Sequence, residues 1–163
     1  AVITTPRLLL RPFTPDDVPA LYAMSREPLL GRFIPDQVYR DLPHAEEVTR
    51  ALIDLAAPRD PRVKPFVLGV ETDGALIGHV GLSAWRNSVE IGYAIAERLH
   101  GQGLATEAVH AMASWAVSTL GLPEVLGVVD AENLASCRVL EKAGFVRGAD
   151  DERGRRVYRF IAA

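Results

Sequence analysis

The chain has 163 residues, of which 48% are apolar and 24% charged, proportions that fit one soluble globular domain spanning 1–163. Eighteen Lys and Arg against twenty-one Asp and Glu leave a net charge of −3, which argues against a nucleic-acid binder, whose footprint is a basic excess. No stretch approaches the ~18–20 uninterrupted apolar residues of a membrane span. Ala1 to Pro12 lacks the order of a secretory leader, and the single cysteine, Cys137, admits neither an internal disulfide nor a metal cluster. A cytoplasmic protein with no membrane partner is expected.

Val2 to Arg11 reads as a strand centred on Leu8, Leu9 and Leu10. Thr14-Pro15-Asp16-Asp17 starts a helix, with Thr14 as cap, Pro15 in the first turn and two acids on the positive end. It runs to about Met24. Residues 25–41 carry Pro28, Gly31 and Pro35 and read as an irregular connection. Leu42, Ala45, Val48, Leu52 and Leu55 recur at helical intervals and predict a second helix ending near Pro58. The period then changes. Phe66 to Glu71 is a strand, Asp73-Gly74 a hairpin turn, and Ala75 to Ser83 the returning strand. After Arg86-Asn87-Ser88, Val89 to Ile95 completes an antiparallel meander. Gly101 and Gly103 open a helix to Leu120, which Gly121 terminates. Val125 to Val129 is a short buried strand, Asn133 to Ala143 a helix closed by Gly144, and Phe145 and Arg156 to Ala162 supply two last strands. The mixed-sign run from Asp150 to Arg156 reads as a solvated turn.

The run from Val89 to Glu107 carries the chemistry. A strand enters a loop with two glycines, and a long helix leaves it. Small residues let backbone approach a ligand, and the unpaired N–H groups of the first helical turn point at it. Arg98 adds a full positive charge, so a phosphate or pyrophosphate is the expected ligand, and a side chain at Gly103 would take the space of its oxygens. A dinucleotide fingerprint needs Gly or Ala where Thr106 stands. A triphosphate loop needs Lys and Ser or Thr where Leu104 and Ala105 follow. A ligand-free turn is the other reading of these residues.

Arg98-x-x-Gly101-x-Gly103-Leu104-Ala105 resembles the pyrophosphate-binding loop of the GNAT superfamily of N-acetyltransferases. Asn133-Leu134-Ala135-Ser136 and Val139-Leu140-Glu141-Lys142-Ala143-Gly144-Phe145 resemble the last helix of its ribosomal-protein N-acetyltransferase (RimJ/RimL-like) branch. Thr5-Pro6-Arg7-Leu8-Leu9-Leu10-Arg11-Pro12 is similar to that branch's first strand, and Ile91-Gly92-Tyr93 to its fourth. The resemblance covers nearly the whole chain, in family order. It implies a layered α+β fold whose mixed, mostly antiparallel central sheet splays around the cofactor and is flanked by helices. It implies acetyl-CoA as cosubstrate and no metal. The pantetheine arm would pair with backbone near Ala94 and Ile95. The pyrophosphate would lie on the N–H groups of residues 99–105, in a cradle of Arg98, His100, Gly101, Gln102, Gly103, Leu104, Ala105 and Thr106. The implied reaction is direct acetyl transfer to a primary amine, of a protein N-terminus or a small molecule. Another acyl-CoA as donor, or a non-catalytic acetyl-CoA-binding sensor, are the alternatives.

Attack on a thioester needs a neutral amine and a proton for the leaving thiolate. The family's usual acid is a Tyr seven residues after the Asn of the last helix, where this chain has Leu140. In the ribosomal-protein branch a Ser three residues after that Asn is the donor, and Ser136 stands there; its bland reading is a first-turn serine. Asn133 would bind the pantetheine arm while capping the helix, and Lys142 reads as a solvated last-turn charge. Glu90 shares a strand face with Gly92 and Ala94, opposite Val89, Ile91, Tyr93 and Ile95. It is the candidate base, acting through a water, with a structural ion pair as the other reading. The branch's other acid, after the final Gly-Phe, has no clear match among Asp150, Asp151 and Glu152. Phe33, Trp85 and Tyr93 are candidate substrate contacts at the cleft mouth. His44, His79, His100 and His110 lie in separate elements without metal-ligand spacing. A homodimer is left open.

Overall fold

A computed structural model describes residues 2–28 and 38–161. In chain order the elements are β1 (Ile3–Thr4), β2 (Leu9–Arg11), α1 (Val18–Ser25), α2 (Leu42–Asp54), β3 (Phe66–Thr72), β4 (Ala75–Trp85), β5 (Ser88–Ile95), α3 (Leu104–Ser118), β6 (Glu124–Val129), α4 (Leu134–Lys142), β7 (Val146–Arg147) and β8 (Arg156–Ile161). The strands form one sheet in the order β1-β2-β3-β4-β5-β6-β8-β7. Every neighbouring pair is antiparallel except β5 and β6. The mixed, mostly antiparallel sheet flanked by helices is the architecture the resemblance implied.

The opening segment departs from expectation. Instead of one strand from Val2 to Arg11, the chain reverses, pairing Ile3 with Leu10 and Thr4 with Leu9. Pro6 has no N–H for a ladder and a fixed φ, which favours a turn there. The Thr5 N–H donates to the Leu8 carbonyl at 2.9 Å, and the Leu8 N–H returns a bond to Thr5 Oγ1 at 2.9 Å. Arg7 is carried on this turn. Helix α2 ends at Asp54 rather than near Pro58, and α3 at Ser118 rather than Leu120.

The meander forms as its pattern predicts. Asp73 (φ 51°) and Gly74 (φ 78°) take the left-handed backbone that a two-residue hairpin turn requires. The β3–β4 register then shifts, with Val70 opposite Gly78 but Glu71 opposite Leu76. Beyond the shift, Phe66, Leu68, Val80, Leu82, Val89 and Ile91 join a core with α3 and α4. A second core holds Leu76 with Phe13, Leu21, Tyr39 and Ala45, on the side of α1 and α2.

Strands β5 and β6 pair only at Glu90 and Leu126. Beyond that point they part, while β6 continues along β8 for its whole length. The β6-side edge of Gly92 to Ile95 therefore has no strand partner among the described residues. The other edge is held tightly to β4. A Cβ built on Gly78 would stand 2.0 Å from the Ala94 carbonyl oxygen, so only glycine permits this approach. Gly78→Ala is expected to cost about 3 kcal/mol, the upper end of overpacking penalties, read as a lower urea midpoint. A midpoint equal to wild type would show that β5 can move away freely.

Candidate active site

A cleft of about 380 Å³ opens where β5 parts from β6. One wall is the glycine loop and the start of α3. Gly101 (φ 80°) and Gly103 (φ 77°) are both left-handed, which is why glycine stands at each. Gly103 is the helix N-cap and offers no side chain, so the amides of Leu104, Ala105 and Thr106 have no capping partner. These residues line the cleft, with the positive end of the helix dipole behind them.

The facing wall is α4. Asn133 caps it, its Oδ1 accepting the Ser136 N–H at 3.2 Å. Ser136 lines the cleft. Arg138 and Lys142, one helical turn apart, line the same cleft. Neither has an ion pair among the described residues. Like charges at this spacing repel by a few tenths of a kcal/mol (~0.2–0.5), a cost that an anionic ligand would relieve. Lys142, read from sequence as a solvated charge, is exposed and also borders this cleft.

Tyr93, Ala94 and Ile95 of β5 form the back of the cleft. The Tyr93 ring packs against the core, and its hydroxyl donates to the Ser136 carbonyl at 3.3 Å. Burial pushes its pKa up to about 12, so the proton stays on. Tyr93 is a strut between β5 and α4. His100 Nε2 donates to the Ile95 carbonyl at 2.7 Å; that nitrogen fastens the loop to the strand rather than facing a phosphate.

At the other end the cleft is lined by Leu21, Met24, Tyr39 and His79. His79 lies opposite Ala94 in the β4–β5 register, and enclosure lowers its pKa to about 4. The histidine spacing in the sequence bears only on metal binding and does not single out His79. Counting back along β4 and β5 from the turn at Arg86-Asn87 is the signal that sets it opposite Ala94. Glu27 accepts the Glu97 N–H at 2.9 Å, tying the end of α1 to the turn after β5.

The other predicted residues lie elsewhere. Arg98 lines a separate polar cleft with Arg11, Asp17 and Glu71, and is absent from the lining of the first. Gln102 contributes no lining; its carbonyl accepts Arg7 Nη1 at 2.8 Å. Trp85 is at the far end of β4, under the Arg86 guanidinium at 4.3 Å. Phe33 lies outside the described residues. Glu90 is half-buried opposite Ser83 and does not line the cleft. Burial raises its pKa against the opposing pull of Arg155. Gly92, on the same strand face, has nothing within 4 Å of where its Cβ would be, so that face is open between Glu90 and Ala94.

Three further expectations are refined. Leu140 is fully buried, its side chain filling the place of a Gly127 Cβ at 2.6 Å; the position packs and supplies no acid. Asp150, Asp151 and Glu152 pair with Arg147, Arg155 and Arg86. Burial would raise the Asp151 carboxyl, but the Arg155 and Arg153 amides and the Arg155 guanidinium hold it below the usual carboxylate range. A Cβ on Gly103 would meet Arg7 Nη2 at 3.3 Å, so a side chain there also carries left-handed strain and crowds Arg7. Among the described residues no group of three or more His, Cys, Asp or Glu is arranged to hold a metal ion. No described helix is long and apolar enough to cross a membrane.

The family described as Acetyltransferase (GNAT) domain matches residues 7–146. Two Bacillus subtilis (strain 168) proteins described as uncharacterized N-acetyltransferases are similar along most of their length. YoaA is 31% identical over 153 residues, covering 88% of this chain and 82% of that protein. YnaD is 27% identical over 147 residues, covering 89% and 82%. Among solved structures, an acetyltransferase (GNAT family) from Bacillus anthracis superposes with a TM-score of 0.83 at 20% identity, covering 99% of this chain and 98% of that one. RimL, a ribosomal α-N-protein acetyltransferase in complex with coenzyme A, gives 0.77 at 18% identity, covering 99% and 98%. At these identities the structural likeness concerns the fold. The chain belongs to the GNAT acetyltransferase family. It is an N-acetyltransferase.

His79 yields a prediction with a defined sign. Its folded pKa lies below the ordinary value of 6.5, at about 4. Between these values the unfolded chain binds the proton and the folded one does not, so stability falls as pH drops from 6.5 toward 4. His79→Gln should melt with a shallower pH dependence across that window. Parallel melting curves for variant and wild type would show that His79 titrates normally in the fold.

Proposed function

We propose that this enzyme transfers the acetyl group of acetyl-CoA directly to a primary amine, of a protein N-terminus or a small molecule, in the cytoplasm. The observation that carries the reading is one cleft bringing together an unpaired strand edge, an uncapped helix start and the Ser136 hydroxyl. A pantetheine arm has alternating amide donors and acceptors and suits the first. The diphosphate suits the second, with Arg138 and Lys142 adding positive charge. The coenzyme A complex of the RimL structure, which shares the fold, supports the choice of donor.

In this reading the amine enters over Gly92, and its ammonium proton passes through water to Glu90. The freed lone pair attacks the thioester carbon, forming C–N as C–S breaks. Ser136 protonates the thiolate and recovers its proton from the amide nitrogen, so one proton leaves by way of Glu90. Asn133 holds Ser136 at the helix start and keeps its Nδ2 free for the pantetheine arm. Tyr93, already donating to the Ser136 carbonyl, fixes the same turn.

Release of free CoA over a panel of amines tests the reading. Turnover on at least one amine supports it. Binding of acetyl-CoA with no turnover on any amine would return the protein to a sensor role, and turnover only with a longer acyl-CoA would change the donor. Ser136→Ala should lower kcat by roughly 10²–10⁴-fold with acetyl-CoA affinity intact; full kcat would leave Ser136 as a helix-start residue. Glu90→Gln removes a base whose pKa burial raises. The activity of wild type then rises with pH through that raised pKa. The deficit of the variant should be greatest at low pH and shrink in alkaline buffer, where more amine is already neutral. A lower melting temperature with an unchanged pH–rate profile would assign Glu90 a structural ion pair instead.

A further inference from the structure

We propose that Arg7, on the first turn of the sheet, is a positioning residue for the anion cradle: it orients the Gln102–Gly103 peptide and cancels the charge of Glu107 beside the helix start. The inference rests on the reading that the cleft binds a CoA thioester.

Arg7 makes a closed set of contacts. Its Nη1 donates to the Gln102 carbonyl at 2.8 Å and its Nε to Glu107 Oε1 at 2.8 Å. Its backbone N–H donates to Glu107 Oε2 at 2.9 Å, and the Thr5 hydroxyl donates to the same oxygen. The residues joined are about a hundred positions apart in the chain, so no local preference creates them. The turn forced at Pro6 brings Thr5 and Arg7 onto the first turn of α3.

Two consequences follow for a ligand. A trans peptide points its N–H opposite to its C=O, and no cis peptide is present among the described residues. Holding the Gln102 carbonyl toward Arg7 therefore turns the Gly103 N–H away from Arg7, and Gly103 lines the cleft. The second consequence is electrostatic. Glu107 lies in the first turn of α3, where a carboxylate favours the helix but competes with an anion for the same positive end. Burial alone would raise its pKa, but the bonds from Thr5 and Arg7 hold it low, so it is charged at neutral pH. The guanidinium, hydrogen-bonded directly to it, removes that repulsion from the diphosphate.

Calorimetric titration of the full chain with acetyl-CoA tests this, beside titration with S-acetylpantetheine, which has the same arm and no diphosphate. Arg7→Gln should weaken acetyl-CoA by about tenfold or more, the effect of losing a charge-assisted bond, and leave S-acetylpantetheine within about twofold, inside the error of such comparisons. kcat at saturating acetyl-CoA should be unchanged, the loss appearing in KM. Glu107→Gln in the Arg7→Gln background should recover part of the affinity, since the uncompensated carboxylate is gone; circular dichroism establishes that each variant is folded. Unchanged acetyl-CoA affinity in Arg7→Gln overturns the proposal. So does an equal loss for both ligands, which would mark general destabilisation, or a double variant no tighter than Arg7→Gln. If wild type itself fails to bind acetyl-CoA, it is the functional reading that falls.

Discussion

The site depends on a single parallel pairing, Glu90 with Leu126, beyond which β5 and β6 separate. A buried strand edge must satisfy its backbone N–H and C=O groups somewhere. On one side of β5 the contact with β4 is so close that Gly78 is required. On the other side no strand pairs with Gly92 to Ile95 among the described residues, an edge that a bound chain with amide groups would suit in the proposed reading. The glycine loop comes next in sequence, so the free edge and the uncapped helix start lie within fifteen consecutive residues, from Gly92 to Thr106.

Around this gap the structure spends its hydrogen bonds on fixing backbone. His100 holds the Ile95 carbonyl, Tyr93 the Ser136 carbonyl, Arg7 the Gln102 carbonyl and Glu27 the Glu97 amide. Each bond joins one cleft wall to another element. The side chains that sequence reasoning had aimed at the ligand are partly used as fasteners. What is presented to the cleft is amide groups, the Ser136 hydroxyl and two cations, on a rigid frame.

Charge illustrates how a global property differs from a local one. The chain is net negative at −3, yet Arg138 and Lys142 meet in the cleft, while the acids of the last strand connection are matched by Arg147, Arg155 and Arg86. Pairing of those acids gives the connection its shape and leaves Glu90 as the half-buried carboxyl on the open face beside Gly92. Composition excluded a broad polyanion surface without bearing on a site of this size.

What was legible in the sequence is what local physics controls. Alternation marked the meander, Asp73-Gly74 its turn, Asn133 the cap of α4, and Gly101 and Gly103 the left-handed loop, since each rests on backbone conformation within a few residues. Motif spacing then pointed to the family. Tertiary structure decided the remainder, through contacts between residues far apart in the chain. The turn at Pro6 split the first strand and delivered Arg7 to Glu107. The unbroken pairing of β4 with β5 back from the turn at Arg86-Asn87 placed His79 beside Ala94. Packing against Gly127 buried Leu140, and the path of the turn after β5 sent Arg98 to another cleft. Periodicity assigns a residue to a face, but the neighbour it meets there is chosen only when sheet and helices close around the core.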